Sequence, residues 1–161
     1  MLDKVPQDNI LISTWTFNPE SDEFPHILSL CQAHADELRI FGILKLNLDI
    51  ARYMELQSKK KLLCLTGRDA DNKIRAYSTH FIHRHPHYKM VWVGQEDSIY
   101  VVPELRRHGV GRKLREAAEI ELKQRGCNLV TARTKFGHED DTNLNGLGYT
   151  RWEVVHAKEL K

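Results

Sequence analysis

The sequence is poor in cysteine, and the few it has are spread too widely to act together. Cys31, Cys64 and Cys127 form no Cys-x-x-Cys pair and are odd in number. A disulfide framework and a zinc knuckle are therefore unsupported, and a reducing cytoplasm is the expected setting. Long apolar runs are missing too: the opening MLDKVPQDNI has no leader-like core, and no later segment has the length of a membrane span. Charge of one sign is not in excess, with 24 Lys and Arg against 22 Asp and Glu. That balance argues against a dedicated nucleic-acid binder and leaves basic character to be judged locally. Repeats, low-complexity tracts and Pro/Gly-rich linkers are also absent, so residues 1–161 are read as one domain.

What is there is ordinary for a folded, soluble chain, with 41% hydrophobic and 29% charged residues. The segment 10–17 (ILISTWTF) is β-branched and aromatic and predicts a first strand. A turn at Asn18-Pro19-Glu20-Ser21-Asp22 leads into a helical stripe of Phe24, Ile27, Leu28, Leu30, Cys31, Ala35 and Leu38. A shorter helix is expected over 48–58. Strands are expected over 61–66 and 73–82, joined at Asp69-Ala70-Asp71-Asn72, and a long extended run over 90–102. The clearest helix covers 109–125, with Val110, Leu114, Ala118 and Leu122 on one face and Gly126 closing it. Strands over 129–134 and 149–156 complete a β-α-α-β-β-β-α-β-loop-β order, a mixed α/β sheet flanked by helices.

The stretch VVPELRRHGVGRKL, residues 101–114, carries the sharpest chemical signal. A strand that enters a helix through a glycine-rich turn aims free N–H groups at one point, and the helix dipole makes that point attractive to an anion. Gly109 and Gly111 remove the Cβ atoms that would keep a phosphate from the main chain, while Arg106, Arg107 and Arg112 add charge-assisted donors. No Gly-Lys-Ser/Thr follows, so this is no Walker loop. The third glycine and early position of a dinucleotide fingerprint are also lacking. The expected ligand is a phosphate, in particular a diphosphate.

Arg106-Arg107-His108-Gly109-Val110-Gly111 resembles the (Gln/Arg)-x-x-Gly-x-(Gly/Ala) motif of the GNAT superfamily of N-acetyltransferases. The preceding Ile99-Tyr100-Val101-Val102-Pro103-Glu104 looks like that family's fourth strand and its exit, and Gly148-Tyr149 resembles its late Gly-Phe turn. Asp97-x-x-Tyr100-Val101, Thr134-Lys135 and the ending Glu153 to Lys158 look most like small members encoded by bacteriophages. The resemblance implies a mostly antiparallel sheet with a V-shaped splay between two parallel strands, and acetyl-CoA bound in that splay. The backbone of Tyr100, Val101 and Val102 would pair with the pantetheine arm. Arg106, Arg107, His108, Gly109, Val110, Gly111 and Arg112 would hold the diphosphate, and Asn143 would hydrogen-bond the cofactor.

Transfer to an amine requires that an ammonium lose its proton near the thioester. Glu96 and Asp97 lie on the fourth strand, where the family often places its base, and alternation sends them to opposite faces unless a bulge intervenes. Glu96 is preferred for the role, while Asp97 fits the phage-type pattern better; both would otherwise be solvent charges at a strand edge. The family's acidic tyrosine has no counterpart at Asn143-Leu144-Asn145-Gly146, which leaves Tyr149, His138 or water to protonate the thiolate. The helix expected there is short, about 139–145.

His80, His83, His85 and His87 lack the helical i, i+4 spacing of a metal pair and flank a proline, so no metal is expected. In the family this hairpin borders the acceptor cleft, which implies substrate contact or proton relay. The leading expectation is an acetyl-CoA-dependent N-acetyltransferase acting on a primary amine by direct transfer, cytoplasmic, a monomer or homodimer. Its partners would include no membrane, and nucleic acid only as an acceptor. The alternative is an inactive fold of the same kind with a structural role, for example in a virion.

Overall fold

The computed structural model describes residues 9–38, 45–134 and 141–160, the side chains of 141–143 excepted. A five-stranded sheet runs in the order β1 (Leu11–Trp15), β2 (Leu62–Arg68), β3 (Ile74–Arg84), β4 (Trp92–Val101), β5 (Leu129–Thr131). The first four strands are antiparallel neighbours, and β5 joins β4 in parallel. The parallel step is made through α3 (Val110–Gln124), which supplies the crossover that a parallel pair requires. The splayed, mostly antiparallel sheet flanked by helices is the architecture the sequence led us to expect.

Local chemistry explains the element boundaries. Asn18 Oδ1 accepts from the Glu20 N–H at 3.1 Å and turns the chain toward α1 (Phe24–Leu38). Asp49 caps α2 (Ile50–Ser58) by accepting from the Arg52 N–H at 3.0 Å. Asp69 folds the β2–β3 turn around its own carboxylate, which accepts from the N–H groups of Asp71 and Lys73. The late Gly148-Tyr149 pair is a helix stop. Gly148, at φ +85°, follows the short α4 (Asp141–Gly146), and the Tyr149 N–H reaches back to the Leu144 carbonyl at 3.0 Å.

The sheet has helices on both faces. On one, α3 buries Leu114, Ala118 and Leu122 against Leu63, Leu65 and neighbouring strand residues. On the other, α1 and α2 cover Phe17, Cys64 and Phe81, with Phe17 stacked on Tyr53 of α2 at 5.0 Å.

Two expectations need correction. The strand expected over 149–156 is not formed: residues 149–160 are irregular, and Trp152, Val154 and Val155 are 57%, 82% and 72% exposed. Alternation of side chains creates a face, but a strand also needs a ladder with a neighbouring strand, and among the described residues the sheet consists of β1 to β5 alone. For the same reason β5 stops at Thr131 rather than Thr134, where its pairing with β4 ends.

Candidate active site

Among the described residues, strand β4 is paired on both sides only at its start. Val93, Gly94 and Gln95 face Leu129, Val130 and Thr131, after which β5 departs and β4 continues alone on that edge to Val101. The result is a wedge-shaped opening floored by the backbone of residues 96–101. Near its far end Val102 turns its N–H to the Arg75 carbonyl at 3.0 Å, so alternation points the Val101 backbone toward the opening. The Val101 carbonyl there accepts from Arg106 Nε at 2.9 Å.

The wedge leads to the start of α3. Pro103–Leu105 form a single 3-10 turn, Arg107 takes φ +64°, and Gly109 takes φ +78° as the residue before the helix. Gly109 is needed for that left-handed backbone. Gly111 has no such need, and a Cβ at either glycine would meet nothing within 4 Å. The loop therefore opens onto unfilled space, with the unpaired N–H groups of a helix's first turn lining it. Arg107 and Arg112 are exposed there, and Arg112 pairs with Glu116 at 2.9 Å. Arg112 also lies near the end of α4, since a Cβ on Gly146 would be 3.7 Å from its guanidinium. Arg106 is committed elsewhere: it forks onto both oxygens of Glu37 at 2.7 and 2.8 Å. That guanidinium, more than any other group, holds the Glu37 carboxyl below its ordinary range.

The two candidate carboxylates part company at a β-bulge. Thr79 faces Ser98 and His80 faces Glu96, which leaves Asp97 as the extra residue of β4. The bulge breaks the alternation, so Gly94 and Glu96 turn toward α3 whereas Ser98 and Tyr100 turn toward α1. Glu96 is buried and receives Arg115 of α3 through two hydrogen bonds, at 3.0 and 3.2 Å. His80, its cross-strand neighbour, is also buried; burial first and the Arg115 charge second push its imidazole down to about 4. Asp97 is exposed and lies close to the Tyr53 hydroxyl. Burial, then the Asp97 charge, raises Tyr53 well above a normal phenol, so its hydroxyl stays a donor.

Asp97 lies at the border of a cavity of about 200 Å³ between the sheet and α1 and α2. Trp15, Phe17, Tyr53 and Tyr77 supply its aromatic walls, and Leu38, Leu46 and Leu48 its aliphatic ones. Beside Asp97 the hydroxyls of Ser98 and Thr79 bond to each other. His34 Nδ1 lies 2.9 Å from the Tyr77 hydroxyl and its ring is 5.2 Å from that of Tyr100.

The remaining expected residues are dispersed. Tyr149 is half-buried on the α3 side near Glu119; burial, then the Glu119 charge, raises its pKa. Glu96 and Arg115 are close enough to act on it as charges. Asn143 belongs to α4, with its side chain outside the described atoms, and His138 lies outside the described residues. None of His80, His83, His85 and His87 is among the described residues that line the cavity. His83 instead meets Gln95 at 3.2 Å, and His85 stacks near Trp152 at 5.9 Å. Among the described residues no three His, Cys, Asp or Glu side chains converge as a metal site. Sequence reasoning missed Arg115, although a charge at 115 on the stripe of Ala118 and Leu122 is itself a signal of a buried partner. It also missed Tyr53, whose pairing with Asp97 has no local trace.

Comparison with known proteins gives this geometry a family. Residues 47–144, more than half of the chain, match the model of the Acetyltransferase (GNAT) family. The chain belongs to that family. Its fold superposes on glucosamine-6-phosphate N-acetyltransferase from Arabidopsis thaliana with a TM-score of 0.69 at 15% identity, covering 96% of this chain and 100% of that one. The BH1408 protein of Bacillus halodurans, as a tetramutant, gives 0.72 at 19% identity over 93% and 99% of the two chains. Ribosomal-protein-alanine N-acetyltransferase from Brucella melitensis gives 0.68 at 15%, over 94% and 99%. Among curated proteins no sequence match was found.

Proposed function

We propose that this chain is an acetyl-CoA-dependent N-acetyltransferase that transfers the acetyl group directly to a primary amine. The observation that carries the reading is the continuity of three features: the open edge of β4, the unfilled space over Gly109 and Gly111, and a cavity bordered by Asp97. Acetyl-CoA, when bound, supplies an activated acetyl thioester. The fit is favourable, because an extended amide-bearing arm can pair with the outward backbone of Val101, flanked by Tyr100 and Val102. The N–H groups from Arg107 through His108, Gly109, Val110 and Gly111 to Arg112 suit a diphosphate. Arg107 and Arg112 add positive charge there, while Arg106 braces the loop against α1.

In this reading Asp97, beside Tyr53, accepts the ammonium proton of the acceptor directly or through water, leaving a neutral nucleophile. The bulge takes Asp97 out of register with β3 and sets it on the rim of the cavity. Tyr149 is the candidate donor to the departing thiolate, since burial and Glu119 keep its hydroxyl protonated. Glu96 is better suited to positioning β4 on α3 than to exchanging protons with substrate. Three free thiols, Cys31, Cys64 and Cys127, support a reducing compartment such as the cytoplasm. Calorimetry with CoA, followed by an assay of CoA release from acetyl-CoA on adding amines, tests the proposal. We expect saturable CoA binding and amine-dependent release. A folded protein that binds no CoA would favour the inactive alternative.

A further inference from the structure

From the cavity beside Asp97 we infer the class of acceptor: a primary monoamine with a compact apolar body, a single aromatic ring or a branched alkyl group. This rests on the acetyltransferase reading but uses separate observations. Size comes first. A cavity of about 150 Å³ suffices for benzene, so about 200 Å³ takes one ring with a short arm. Charge comes second. Among the described lining residues Asp97 is the only carboxylate and none is a lysine or an arginine. One ammonium is therefore matched, whereas a second charge, or a phosphate, would enter walls of Trp15, Phe17, Tyr53 and Tyr77. An ion moved to such surroundings without a partner costs several kcal/mol.

Polarity comes third, and it fixes orientation. The only carboxylate among the described lining residues, Asp97, stands on the β4 side with the Ser98 and Thr79 hydroxyls, the neutral Ser78 and Thr66 hydroxyls follow on β3 and β2, and the Trp15 and Phe17 rings lie toward β1. An arylalkylamine would set its nitrogen against Asp97 and its ring among the aromatic walls. Sugar phosphates and polyamines carry charges beyond the one that the single carboxylate among the described lining residues can match. A single methylene of complementarity is worth about tenfold or more in selectivity, and an unmatched charge more.

The test uses the full chain. Acetyl transfer is measured with 2-phenylethylamine and 3-methylbutylamine against spermidine, glucosamine 6-phosphate and a lysine-containing peptide. Separately, 2-phenylethylamine and 2-phenylethanol are titrated calorimetrically without CoA. We expect kcat/KM at least about tenfold higher for the apolar amines, and binding of the amine but not the alcohol. Ala35→Phe, which fills the cavity wall from α1, should abolish amine binding while CoA still binds. Should that variant misfold, competition by 3-methylbutylamine for the phenylethylamine site reads the same surface in the wild type. CoA binding with preference for the polar acceptors overturns the inference and leaves the acetyltransferase reading standing. Absence of CoA binding overturns the latter, and amine calorimetry still decides the former.

Discussion

Asp97 and Glu96 are adjacent carboxylates on one strand, and their surroundings give them different work. Glu96 lies buried against Arg115 with both oxygens engaged, so removing its charge strands a guanidinium in the core. Breaking a buried pair by altering one partner costs about 3–5 kcal/mol. Glu96→Gln should therefore lower stability by roughly that amount in urea unfolding, less whatever the amide recovers by hydrogen bonding. Asp97 is exposed at the rim of the cavity. Asp97→Asn should leave the melting temperature almost unchanged and CoA affinity intact, yet reduce turnover by about a hundredfold at neutral pH. The deficit should shrink as pH rises, because free amine then needs no base. A turnover loss equal at every pH would assign Asp97 to positioning instead. If Glu96→Gln were the variant that kept its stability and lost the pH-dependent activity, the roles would have to be exchanged.

At the level of elements, the start of α3 admits a prediction with opposed signs. Gly111 lies in the first helical turn without positive φ, and an added Cβ meets nothing. Gly111→Ala should stabilise the fold by about 0.5 kcal/mol through the unfolded chain's lost freedom. The same methyl occupies the space through which a phosphate would approach, so CoA affinity should fall although the protein is more stable. Calorimetry and thermal melts on one sample separate the effects, and a tighter CoA complex would refute the loop's role. This element was legible in the sequence because periodicity, the two glycines and the cap at Gly126 are all local signals. Two features of the β elements were not. A bulge is defined by the residue its partner strand omits, so nothing within residues 90–102 announces that Asp97 leaves the ladder. Residues 149–156 carry the alternation of a strand, but pairing is a long-range event, and among the described residues they join no strand ladder. The cavity was hidden for the same reason: Tyr53, Tyr77, Asp97 and Trp15 come from four separate elements that meet only in the fold.

For the whole molecule, the sheet separates two chemical environments, and the closed one governs acid stability. On the α3 face His80, Glu96 and Arg115 are all buried, and His80 Nδ1 has no hydrogen-bond partner. Folding thus traps a neutral imidazole beside a guanidinium, and its pKa is held down at about 4. An unfolded histidine protonates near pH 6.5. Between these values only the unfolded chain carries the extra proton, so acid favours unfolding there. The contribution is complete above about pH 6.5 and is lost as pH falls toward 4, at about 1.4 kcal/mol for each pH unit. The carboxyls of Glu23, Glu37 and Glu55, lowered chiefly by hydrogen bonds from Arg68, Arg106 and Lys59, act in the same direction but only from about pH 4.5 downward. The interval from 6.5 to 5 therefore belongs mainly to His80. Urea unfolding should show wild-type stability falling by about 2 kcal/mol across it. His80→Asn, whatever its stability at pH 7.5, should show a much flatter profile over the same interval. Parallel profiles for the two proteins would mean that the buried imidazole does not set the acid limit of this fold.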